Sequence, residues 1–123
     1  MVTETSRSWL EIEHIGHATV AKFNTHHLLS EAKMQAVAEE LLCLGDEAGY
    51  RYLVLDFSAV KRLSTELLGT LMALQRKVDA KRGKLAVCSL SPELYEIFKM
   101  VNLHRFLTVY ADEQAALQTL VRS

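Results

Sequence analysis

Two apolar runs, Tyr52-Leu-Val-Leu-Asp-Phe57 and Leu85-Ala-Val-Cys88, lie on either side of a stretch whose apolar residues recur every three or four positions: Leu67, Leu68, Leu71, Met72, Leu74 and Val78. Neither run has a helical period, so each reads as a strand buried on both faces. Strand, amphipathic helix and strand in that order form the unit of a parallel sheet, because parallel neighbours need a long, right-handed crossover. The chain is therefore expected to be α/β, with its functional edge where strands end and the following helices begin.

The flanking segments extend the pattern. Leu10 to Ile15 alternates, Gly16-His17 permits a tight turn, and Ala18 to Phe23 reads as a second strand, so the chain is expected to open with a hairpin. Ser30 is a plausible N-cap for an amphipathic helix over 31–47, with Met34, Val37, Ala38, Leu41, Leu42 and Gly45 on one face. The helix after Phe57 is expected to end near Gly83, with Lys77, Lys81, Arg82 and Lys84 around its C-terminus, where positive charge is favoured. Ser91-Pro92-Glu93 is a capping hydroxyl, a proline at the first helical position and an early acid, which predicts a third helix to about Val101. A last strand is expected over 106–110, and Asp112 should cap a final helix containing Ala115, Ala116, Leu117 and Leu120. The expected order is β-β-α-β-α-β-α-β-α.

At 123 residues, half of them hydrophobic, the chain suits one domain over 1–123. Fourteen basic and fifteen acidic side chains leave a net charge of -1, so no overall field draws it to nucleic acid or to anionic lipid. Cys43 and Cys88 fall in a helix and a buried strand, which suits a reduced compartment, and the cytoplasm is the expected location. The N-terminus lacks the apolar core of a signal peptide, and no run approaches the ~20 residues of a membrane span.

Catalytic and cofactor chemistry finds little support. His14 and His17, and the pair His26 and His27, come without the acids or cysteines that would complete a metal site. Cys88 has no base beside it and reads as an inert thiol. No glycine-rich turn follows a strand to cradle a pyrophosphate, and Lys61-Arg62 is a short basic step in a loop. Asp56, ending the central strand, stands where a receiver-like phospho-acceptor would, but the first strand offers no acidic pair to hold Mg²⁺. Asp56 is otherwise expected to accept backbone N–H groups of the following loop. A protein that binds, without cofactor, metal or enzymatic activity, is the expectation.

That leaves Leu63-Ser-Thr-Glu-Leu-Leu68. Ser64 would cap the helix, and Glu66 in the first turn would favour the helix dipole, together stabilising by ~1 kcal/mol. The same hydroxyls, if phosphorylated, would add ~2 negative charges and disrupt a close interface.

The stretch from Asp56 to Gly69, DFSAVKRLSTELLG, resembles the signature of STAS domains, the family of bacterial anti-sigma-factor antagonists, at Asp56, Ser58, Val60, Leu63, Leu68 and Gly69. The element order agrees along nearly the whole chain. The resemblance implies a central mixed sheet, an N-terminal hairpin followed by parallel strands, with helices packed mainly on one face. It implies a regulatory module that binds a protein partner such as an anti-sigma kinase through Asp56, Ser58, Lys61, Arg62, Ser64, Thr65 and Glu66. Some STAS-like relatives instead bind the ATPase of a lipid ABC transporter, and a homodimer is also open. In the family the helix starts Asp-Ser-Ser-Gly and its second serine is phosphorylated. Here Ser64, Thr65, Glu66 and Leu67 occupy those places. Either Thr65 or Ser64 is the acceptor, or Glu66 fixes a charge and the module is constitutive.

Overall fold

The computed structural model describes residues 10–23, 27–28, 31–46, 51–63 and 65–122, with backbone alone at 27–28, 31–34, 62–63, 65 and 120–122. The elements run β1 (Leu10–Ile15), β2 (Ala18–Phe23), β3 (His27–Leu28), α1 (Glu31–Asp46), β4 (Tyr52–Asp56), β5 (Arg62–Leu63), α2 (Thr65–Ala80), β6 (Lys84–Cys88), α3 (Pro92–Met100), a 3-10 turn (Leu103–Arg105), β7 (Thr108–Tyr110) and α4 (Glu113–Arg122). Five strands form one sheet in the order β1-β2-β4-β6-β7. Only β1 is antiparallel to its neighbour; β2, β4, β6 and β7 are mutually parallel, as the buried runs required.

Each parallel strand alternates between two cores. Ala21, Phe23, Leu53, Leu55, Phe57, Leu85 and Val87 point to one face, where they meet Val37 and Leu41 of α1, Leu67, Leu71, Leu74 and Val78 of α2, and Leu94 and Phe98 of α3. Phe57 anchors this core, its ring centroid 4.6 Å from that of Phe23 and 6.2 Å from that of Phe98. The opposite face is smaller: Val20, Val54, Ala86 and Cys88 lie under Ala116 and Leu117 of α4. Among the described residues three helices thus cover one face and α4 covers the other.

The capping signals work as their chemistry dictates. Ser91 Oγ accepts the N–H of Leu94 at 3.2 Å with Pro92 in the first turn, and Asp112 Oδ1 accepts the N–H of Ala115 at 2.8 Å. α2 ends at Ala80, near Gly83 as expected. Arg82 takes the left-handed position, with φ 58°, while Gly83 serves a close approach: a Cβ there would lie 2.1 Å from the carbonyl oxygen of Arg51. That oxygen accepts the N–H of Lys84 at 2.7 Å, so β4 and β6 are joined from their first residues.

Two expectations need correction. The last strand begins at Thr108 rather than at 106. Asn102 ends α3 with φ 62°, and the N–H groups of Phe106 and Leu107 both donate to the carbonyl of Leu103 at 2.9 Å, which keeps 103–107 in a helical turn and leaves Phe106 58 % exposed. The other is a small second sheet in which β3 and β5 pair in parallel, His27 opposite Arg62 and Leu28 opposite Leu63. Two-residue strands carry no period to read. They tie the chain entering α1 to the chain entering α2. Ser30, expected to cap α1, lies outside the described residues.

Candidate functional site

The site grows from the C-terminal end of β4. Asp56 is the last residue of that strand and is 4 % exposed. Its register places it between Lys22 of β2 and Cys88 of β6, in a row on the α4 side of the sheet. Beyond it the chain turns at once: the N–H of Phe57 donates to the carbonyl of Cys88 at 3.0 Å, and that of Val60 to the carbonyl of Phe57 at 2.9 Å. Asp56 Oδ1 accepts the N–H of Ser58 at 2.8 Å, which is the loop-holding role expected of a strand-ending aspartate.

Phe57 and Val60 point into the core, so the residues between and after them are driven outward. Ser58 and Lys61 are exposed. The backbone of Arg62 and Leu63 then pairs with β3, and α2 begins at Thr65. Ser64 lies outside the described residues, so its capping and acceptor roles do too, as do the side chains of Arg62 and Thr65. Glu66 is exposed in the first turn of α2, while Leu67 and Leu68 are buried in the main core. Leu67, standing where the family signature has glycine, adds to the packing of α2 on the sheet.

The described members of the set therefore divide by height above the sheet. Ser58, Lys61 and Glu66 are at the surface, and Asp56 holds their loop from beneath. Gly69, three residues after Glu66 and so on the same side of α2, is exposed, and no described residue lies within 4 Å of the place a Cβ would occupy.

Asp56 has neighbours that its own segment does not announce. Glu113 of α4, with Asp112, Lys22 and Ser89, lines the same open cleft of about 580 Å³ as Asp56. Burial alone would push the Asp56 carboxyl up, but the hydrogen bonds from Ser58 and Glu113, with the charge of Lys22, outweigh it and hold Asp56 below its ordinary value. Glu113 moves the other way, raised by that hydrogen bond, by burial and by the charge of Asp56. Cys88, at the end of the row, is pushed up to about 12, first by burial and then by the nearby carboxylates. Acids thus gather around Asp56 from a distant helix rather than from the first strand, which is why local sequence gave no sign of them. Among the described residues no three His, Cys, Asp or Glu side chains are grouped to hold a metal ion. His14 Nδ1 lies 3.2 Å from Thr19 Oγ1, His17 is exposed in the turn, and His26 is outside the described residues. Nor is any described helix long and apolar enough to cross a membrane.

Comparison with known proteins agrees with this architecture. The anti-sigma F factor antagonist of Paenibacillus polymyxa is 24% identical over 118 residues, covering 90% of this chain and 93% of its own. An anti-sigma-factor antagonist (STAS) domain protein from Planctomyces limnophilus superposes with a TM-score of 0.80 at 20% identity, covering 92% of this chain and 98% of its own. The Bacillus cell fate determinant SpoIIAA in its phosphorylated form superposes at 0.68 with 13% identity, covering 89% and 98%. The STAS domain profile matches residues 9–116, nearly the full length of the chain, and the chain belongs to the STAS domain family.

Proposed function

We propose that this chain is a regulatory binding module of the anti-sigma-factor-antagonist type, which docks a protein partner through the loop after β4 and the exposed start of α2. Gly69 carries the reading. Glycine inside a helix costs about 1 kcal/mol relative to alanine, and here the space beside it is open, so no contact among the described residues requires its small size. A partner that approaches the helix closely next to Glu66 would require it. Ser58 and Lys61 supply polar contacts at the rim, on a loop that Asp56 fixes before the partner arrives.

The charge of Glu66 stands where the family carries its phosphorylated serine. One carboxylate has about half the charge of a phosphate and fewer acceptor oxygens, so binding is unswitched, or switched only weakly through Thr65 or Ser64. The relative from Paenibacillus polymyxa supports an anti-sigma factor as the partner class.

Capture from the native cell with the wild-type chain, Glu66→Ser, Thr65→Ala and Gly69→Ala tests this. Gly69→Ala should fold at least as stably as wild type, gaining up to about 1 kcal/mol of helix propensity, yet retain less partner. Glu66→Ser should alter retention and Thr65→Ala should leave it unchanged. The same partners held equally by all four chains would refute the docking face. Stoichiometric phosphate on Thr65 or Ser64, by mass spectrometry after co-expression with the native kinases, would refute the unswitched state.

A further inference from the structure

The cleft beneath the docking loop holds two carboxyl groups that no binding role uses. Asp56 is almost wholly buried, and the register places it in the row Lys22, Asp56 and Cys88 across β2, β4 and β6. Above that row is the first turn of α4, where Asp112 caps its own helix and Glu113 lines the same cleft as Asp56. Two carboxyl groups on one cleft repel when both are ionised, and a proton held between them removes that repulsion.

We propose that Asp56 and Glu113 share a single proton and so form a clamp that fastens the first turn of α4 to the end of β4, and through Asp56 to the loop at Ser58. Among the described residues α4 is the one helix on its face of the sheet, resting there on Ala116 and Leu117, so a bond at its first turn helps to seat it. Other charged groups around the pair are accounted for. Lys22 of β2 favours the ionised form of both, Glu13 of β1 pushes Glu113 up, Asp112 lies beside it on α4, and Cys88 of β6 stays a neutral thiol.

The pH behaviour follows from the two directions. Glu113, raised above its ordinary 4.5, contributes stability that is fully present below that value and is lost as pH rises through its folded-state value. Asp56, lowered below 3.8, contributes stability present above that value and lost as pH falls through its own folded-state value. The clamp is closed in the window between, where the pair holds one proton, and it loosens at higher pH. The proton moves only to and from water, and the pair titrates as a unit.

Thermal unfolding of the wild-type chain and Glu113→Gln from pH 4 to pH 8 tests the clamp. The glutamine amide keeps a donor toward Asp56 at every pH, so the two chains should melt together near pH 5, and Glu113→Gln should melt about 4 °C higher by pH 8. Glu93→Gln, in the exposed first turn of α3, is the control and should show no such pH-dependent gap. Side-chain carboxyl NMR supplies the second readout. Both Asp56 and Glu113 should report two shared titration steps in wild type, and Asp56 a single step in Glu113→Gln. A constant melting difference across the pH range, or one independent step at each carboxyl, would overturn the proposal. The consequence for docking rests on the loop after β4 being part of the binding face, whereas the titration needs no partner, so either can fail without the other.

Discussion

Asp56 shows how a single carboxylate can organise a surface loop from beneath it. Its oxygen accepts the N–H of Ser58 at 2.8 Å, and the residue is only 4 % exposed. A strand-ending aspartate ahead of a tight turn was legible as a loop-holder because that hydrogen bond is local. Its partnership with Glu113 was not, because the two residues meet only through the packing of α4 on the sheet. Cys88 and Cys43 divide by the same logic of surroundings. Cys43 is exposed on α1, whereas the Cys88 thiol is buried and held up at about 12, so it is almost never ionised at neutral pH. Thiol titration of the native protein at pH 8 should therefore label one cysteine promptly, and peptide mapping should identify Cys43. Rapid labelling of Cys88 would mean that β6 is not buried as described. The second thiol should react once the chain is unfolded in denaturant.

At the scale of elements, periodicity and capping chemistry fixed nearly everything longer than three residues. The 3.6-residue spacing gave α1, α2 and α4, and the Ser91-Pro92 pair gave the start of α3. What escaped was set by contacts rather than by pattern: the two-residue strands β3 and β5, and the helical turn that delays β7. Gly83 offers a test at this scale. Its Cβ would intrude on the Arg51 carbonyl oxygen, which is backbone that cannot swing aside and which accepts the first hydrogen bond between β4 and β6. Gly83→Ala should lose about 2 kcal/mol, in the range of other overpacked sites, seen as a lower urea midpoint at unchanged slope. An unaltered midpoint would show that α2 can end without that close approach.

For the whole molecule, the sheet separates two ends with different work. Parallel strands put every β-to-α loop at one end, and the Asp56 row, the loop after β4 and the start of α2 all lie there. The opposite end, where Lys84 begins β6, is joined by the Arg51 contacts. The match to the STAS family gives this arrangement a regulatory setting, and the departures at Glu66 and Leu67 make it a variant of that setting. Lys61 and Lys84 are both exposed and stand at opposite ends of the parallel strands, which makes them a matched pair of probes. A photo-crosslinking amino acid placed at each, in the native cell, measures which end a partner occupies. A discrete crosslinked protein is expected from position 61 and none from position 84. Crosslinking from position 84 alone, or equally from both, would contradict that expectation.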